Sequence, residues 1–208
     1  MPKTYREYDD ALATRHDTLS LVAGLSQEQA DYRPAPGKWS VGEVLDHLLK
    51  TDEIVAKEIR VAIRRRRKGA PLVYRGISAF GVPIPKLLRP ALPFFEVPFS
   101  VFNAAVPAGV RRAVTGNRRV PAEAPGILRP QAGRDLRILQ QELRDAYRDY
   151  GAQVAGAADL DLRKLWYYNP IMGLSPLPSL FSFIANHERR HQGQLRDILA
   201  TVTFPAAA

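Results

Sequence analysis

No cysteine occurs among the 208 residues. Disulfides, thiolate zinc sites and cysteine nucleophiles are thereby excluded, and any bound metal must be held by histidine, carboxylate or water. Long apolar runs are also missing. Within residues 69–132 the longest uncharged stretch, Val97 to Val110, has 14 residues and two prolines, short of the roughly 20 that span a bilayer. The opening MPKTYREYDD holds no apolar stretch of the kind a secretory signal needs, so a cytoplasmic protein without a transmembrane segment is expected. No segment alternates convincingly with period two, and no internal repeat is visible. Acids are scarce in one region only. Residues 60–134 hold fifteen Lys/Arg against Glu96 and Glu123, whereas the remainder carries fifteen bases and nineteen acids. The net charge of +9 therefore belongs to one segment, which argues against a nucleic-acid-binding protein as a whole.

What is present reads as helix. Residues 4–24 place Tyr5, Tyr8, Leu12, Leu19 and Val22 at spacings of three, four and seven. A turn at Ser26–Ala30 and the breaker-rich Arg33-Pro-Ala-Pro-Gly37 follow. Ser40 and Glu43 form a capping-box pattern that opens a second helix reaching about Lys68. Its inner stripe is Val44, Leu48, Thr51, Val55, Ile59 and Ala62, and its basic end at 64–68 suits the helix dipole, although it could also bind an anion. A third helix over 134–155 turns Leu136, Leu139, Leu143, Tyr147, Tyr150 and Val154 inward. After the linker Trp166–Gly173, a fourth starts near Pro178 with Leu180, Ile184, His187, His191, Leu195 and Ile198 on one face. Four amphipathic helices and no sheet predict an all-α four-helix bundle in one domain, 1–208. Ten of the 17 prolines fall in an insertion, 69–132, between the second and third helices. Its aromatics at 94, 95, 99 and 102 either pack the insertion onto the bundle or line a substrate pocket.

Three of the four histidines carry the chemistry. His187 and His191 are four apart, so both imidazoles project from one helical face, and that face is otherwise apolar. His47 interrupts the second helix in the same way, flanked by Val44, Leu48 and Thr51. Burying imidazoles without strong partners is costly, and a divalent ion removes that cost. Alternatively, each is a core histidine bonded to a carboxylate or hydroxyl. His16, between Leu12 and Leu19, is expected to be partly exposed. Glu43 and Glu188 stand within reach of the ligand turns, but neither is assigned as general base.

The segments Pro36-Gly-Lys-Trp-Ser-Val-Gly-Glu-Val-Leu-Asp-His47 and His187-Glu-Arg-Arg-His191-Gln-Gly-Gln194 together resemble the hallmark segments of the DinB/YfiT-like superfamily. Asn169-Pro-Ile-Met-Gly173 is similar to the family's hPxxG pattern, with Asn169 where histidine is frequent. The resemblance covers residues 1–68 and 134–200. It implies an up-down-down-up bundle, and three histidines binding zinc, nickel or iron with a coordination position left open. It also implies a homodimer in many members, and in some the transfer of a low-molecular-weight thiol to an electrophile.

The expected function is accordingly a metal-dependent transferase or hydrolase acting on a small molecule. The apolar and basic insertion suggests an amphipathic, anionic substrate. A non-enzymatic stress-response or binding protein with a residual metal is the alternative. The string His187-Glu-Arg-Arg-His191 also satisfies the H-E-x-x-H zincin pattern, but Gln194 and Asp197 stand where a metzincin turn and third ligand would be required.

Overall fold

The computed structural model describes residues 5–70, 72–74, 126–169 and 173–206. Four long helices form as the hydrophobic patterning predicts: α1 (Arg6–Leu21), α3 (Val41–Arg67), α4 (Leu136–Ala155) and α5 (Ser179–Leu199). The segment expected as a turn after α1 is instead a one-turn helix, α2 (Gln27–Asp31). Ser26 and Gln29 close a capping box there, which compensates for a helix too short to hold itself together by propagation. Ser40 and Glu43 cap α3 in the same way. At the other end of α3, Gly69 takes the left-handed φ of 88° that stops the helix where a side chain would be strained.

Neighbour pairs give the helix directions. Tyr8 meets Phe181 and Thr18 meets Gln192, so α1 and α5 run parallel. Asp46 meets Arg134 and Arg67 meets Gly156, so α3 and α4 also run parallel. Tyr8 meets Tyr147 and Gln140 meets Val22, so α1 and α4 are antiparallel. This is the up-down-down-up order, and it requires a long crossover between α3 and α4. Most of the insertion, residues 75–125, lies outside the described residues, together with the aromatic positions 94, 95, 99 and 102.

A small sheet corrects the expectation of none. β1 (Leu72–Tyr74) pairs parallel with β2 (Trp166–Asn169), which pairs antiparallel with β3 (Gly173–Pro176). Leu165 and Tyr167 point inward while Trp166 is exposed. The alternation is real but spans too few residues to be distinguished from a linker in the sequence. Among the described residues no helix is long and apolar enough to cross a membrane.

The core divides in two. One apolar cluster gathers Tyr5, Val55, Ile59, Tyr147, Tyr150, Leu180, Phe181 and Ile184, and the other Val22, Val44, Leu45, Leu48, Leu139, Leu143 and Leu195. Along α1 the residues between the clusters are Thr14, Arg15 and Thr18; along α5 they are His187, Glu188, His191 and Gln192. A polar layer therefore crosses the bundle at mid-height. Because buried polar groups must find partners, this layer is where function is to be sought.

Candidate metal centre

α3 delivers His47 two turns after its capping box, and α5 delivers His187 and His191 from consecutive turns of one face. The structure brings all three together. Ring centroids are 5.1 Å apart for His47–His187, 4.8 Å for His47–His191 and 4.6 Å for His187–His191. One donor nitrogen from each lies within 4.8 Å of the others. His47 Nε2 and His187 Nε2 are 3.3 Å apart. Two imidazole nitrogens at about 2.0–2.1 Å from one tetrahedral ion are separated by about 3.3–3.4 Å, so this pair already has the spacing of a shared ion.

Second partners fix which nitrogen faces inward. His47 Nδ1 lies 2.8 Å from the carbonyl oxygen of Leu128, and His191 Nδ1 lies 2.9 Å from Gln194 Oε1. A carbonyl or amide oxygen can only accept, so Nδ1 carries the proton in both rings and each Nε2 keeps its lone pair for a cation. Leu128 sits in the 3₁₀ turn Gly126–Leu128 at the return of the insertion. Asp46 anchors the adjoining chain, accepting from the Gln131 amide at 2.7 Å and from Arg134 at 2.8 Å. Trp39 stacks over His191 at 6.2 Å and lies 5.0 Å from His47, while Phe183 stacks on His187 at 5.8 Å.

All three imidazoles are held neutral. Burial, followed by repulsion from His191 and His47, drives His187 well below the usual histidine range. Burial and the nearby His47 push His191 down to about 4, and burial also lowers His47. Neutral rings are the form that binds a metal. The shift carries a stability consequence. Between the ordinary value of 6.5 and about 4 the unfolded chain binds a proton that folded His191 refuses. The contribution is therefore complete above pH 6.5 and drains away as pH falls toward 4. For His191 it amounts to about 3 kcal/mol. Urea unfolding of chelator-treated protein at pH 7 and pH 4.5 should show a smaller loss in His191→Phe than in the native chain; equal losses would contradict the assignment.

His16 is exposed on α1, as expected, and takes no part in the cluster. The two carboxylates considered for base catalysis are both committed. Glu43 accepts from the Ser40 amide and pairs with Arg33. Glu188 is 0% exposed, pairs with Arg15 and accepts from Tyr147. It is neither solvated nor the free carboxylate that a zincin places beside its ion. Leu12, assigned to the inner stripe of α1, is exposed instead, and Arg15 takes the buried place. Arg15 and Asp52 escaped the sequence reading, although Arg15 lies seven residues from both Tyr8 and Val22 on the apolar stripe.

Comparison with known proteins agrees with this geometry. Residues 11–195 match the sequence model described as the DinB superfamily. The chain is also similar to the uncharacterized protein YuaE of Bacillus subtilis (strain 168), with 24% identity over 192 residues, or 88% of this chain and 91% of that one. No solved structure gives a significant match.

Proposed function

The chain belongs to the DinB superfamily, and from that premise we propose that it is a metal-dependent enzyme, holding zinc, nickel or iron through His47, His187 and His191 and transferring a small nucleophile to an electrophilic substrate. The observation that carries this is the pair of Nδ1 hydrogen bonds to Leu128 and Gln194, which leave two neutral Nε2 atoms converging on the His187 ring. Three neutral ligands make an incomplete set, the arrangement of a catalytic rather than a structural site. When bound, a divalent ion supplies the Lewis acidity that makes a thiol or water nucleophilic near neutral pH. The protein's own residues do the rest. Leu128 O and Gln194 Oε1 hold two ring orientations, Trp39 and Phe183 wall the rings with apolar surface, and burial keeps protons from competing for the ligands.

A low-molecular-weight thiol is the favoured nucleophile, and the apolar, basic composition of residues 69–132 supports an amphipathic, anionic acceptor. Elemental analysis of protein purified without a histidine tag, followed by turnover assays with metal-loaded protein and several thiols, tests the reading. Stoichiometric metal and thiol-dependent turnover are expected, and turnover unchanged in His187→Ala would sink it. One observation favours a second reading, a metal-holding binding protein without turnover. Both carboxylates near the ligand turns, Glu43 and Glu188, are fully engaged. That reading predicts bound metal and no turnover with any thiol.

A further inference from the structure

Three charged side chains outside the ligand set meet in the polar layer. Arg15 of α1 donates Nε to Glu188 Oε1 at 2.7 Å and Nη2 to Glu188 Oε2 at 3.1 Å, so its planar fork grips the α5 carboxylate. The same Nη2 reaches Asp52 Oδ2 of α3 at 2.8 Å, and Nη1 donates to the Leu143 carbonyl of α4 at 3.0 Å. Tyr147 donates to Glu188 at 3.2 Å, and Tyr150 donates to the Asp52 carbonyl at 2.8 Å. All four long helices thus meet on one guanidinium. None of the three charged residues is more than 2% exposed.

Two features connect this cluster to the histidines. The first is rotation. Glu188 is bound to Arg15, and Gln192 donates to the Thr14 carbonyl and to Thr18 Oγ1, so two consecutive turns of α5 are fastened to α1. Each fastened residue directly follows a candidate ligand, and neighbours on a helix are about 100° apart. Fixing the edge through 188 and 192 therefore fixes the direction in which His187 and His191 point. Asp52, on the same guanidinium, ties that edge to the helix of His47. The second feature is charge. One guanidinium faces two carboxylates, a formal surplus of one negative charge within the buried cluster itself. Surplus buried charge is unfavourable by itself, and a dication on the imidazoles offsets it.

We propose that Arg15, Asp52 and Glu188 are positioning residues of the metal centre. Arg15 sets the rotation and spacing of the ligand helices, with Glu188 holding the α5 edge and Asp52 tying it to the helix of His47. The inference rests on the metal reading of the three histidines. These side chains act through the ligands and touch no substrate.

The test is zinc affinity, measured by competition with a chromophoric chelator, together with the visible spectrum of cobalt-loaded protein. Both are measured in the full chain and in Arg15→Lys, Asp52→Asn, Glu188→Gln and His187→Ala. Lysine keeps the charge but not the bidentate fork; the amides keep the shape and remove a charge. Arg15→Lys and Glu188→Gln are expected to bind zinc roughly 10–100-fold more weakly, the usual effect of losing a group that supports a ligand, with displaced cobalt bands. Asp52→Asn is expected to weaken zinc binding without unfolding. Should Arg15→Lys fail to fold, the two nearly isosteric amide variants decide the matter. If the variants lose thermal stability yet keep the native zinc constant and cobalt spectrum, the cluster is structural only and the proposal is overturned. If the native chain binds no zinc, the metal reading falls with it. Binding lost in His187→Ala but untouched in the cluster variants overturns this inference alone.

Discussion

His187→Ala is expected to abolish metal binding and turnover while leaving the metal-free fold intact. On the proposed reading His187 is one of three ligands, and its Nε2 is the one at tetrahedral spacing from His47. Losing it should weaken affinity by more than the roughly 10–100-fold that a supporting residue contributes. Thermal unfolding with and without zinc gives the cleanest comparison. At a thousand times its dissociation constant a ligand stabilises by about 4 kcal/mol, which for a chain of this size raises Tm by roughly 8–16 °C. The native chain should show that rise and the variant should not. Without metal, the variant loses only an imidazole already forced into its neutral form by burial, so its Tm should remain close to native. A variant that still responds to zinc would show that the ion sits elsewhere.

The second large effect is on stability alone. Arg15→Met leaves Asp52 and Glu188 buried without their shared cation, and breaking a buried ion pair from one side costs about 3–5 kcal/mol. The expected fall in Tm is roughly 6–20 °C. Replacing all three residues together, as Arg15→Met with Asp52→Leu and Glu188→Leu, should cost far less, because no uncompensated charge remains. Acid should partly rescue the single variant. Burial, and secondarily the nearby Glu188, push the Asp52 carboxyl up to about 6 even with Arg15 in place. An acid whose folded value is raised stabilises the fold below its unfolded value of 3.8 and loses that contribution as pH rises through the folded one. The deficit of Arg15→Met should therefore be smaller at pH 5 than at pH 8 in urea titrations. An equal deficit at both pH values would mean that the lost stability is packing around Tyr147, over whose ring the guanidinium sits at 4.4 Å.

The same signal that exposed the histidines was present for the ion cluster. Asp52 lies on the α3 stripe between Leu48 and Val55, and Glu188 on the α5 stripe between Ile184 and Leu195. Each is a polar residue at an inward position. Histidine draws attention there because its metal chemistry is familiar, whereas a carboxylate four residues from apolar neighbours resembles an ordinary boundary residue. On α1, Leu12 and Arg15 both fit a three-four spacing, and only the placement of α5 against α1 exposes the leucine and buries the arginine. The one-turn α2 and the three short strands have no period long enough to read. For β1 the pairing partner is also distant in the chain, Leu72 meeting Trp166.

The sequence alone determined the four long helices, the N-terminal cap of α3, the inward stripes of α3, α4 and α5, and the identity of His47, His187 and His191 as misfits in apolar faces. These follow from local periodicity and side-chain chemistry, which act within a few turns. Tertiary structure alone decided that the three imidazoles converge on one point, that Leu128 selects the tautomer of His47, and that one arginine joins all four helices. Those outcomes depend on the relative rotation and height of elements separated by tens of residues to well over a hundred. Only the packing of one helix against another sets these.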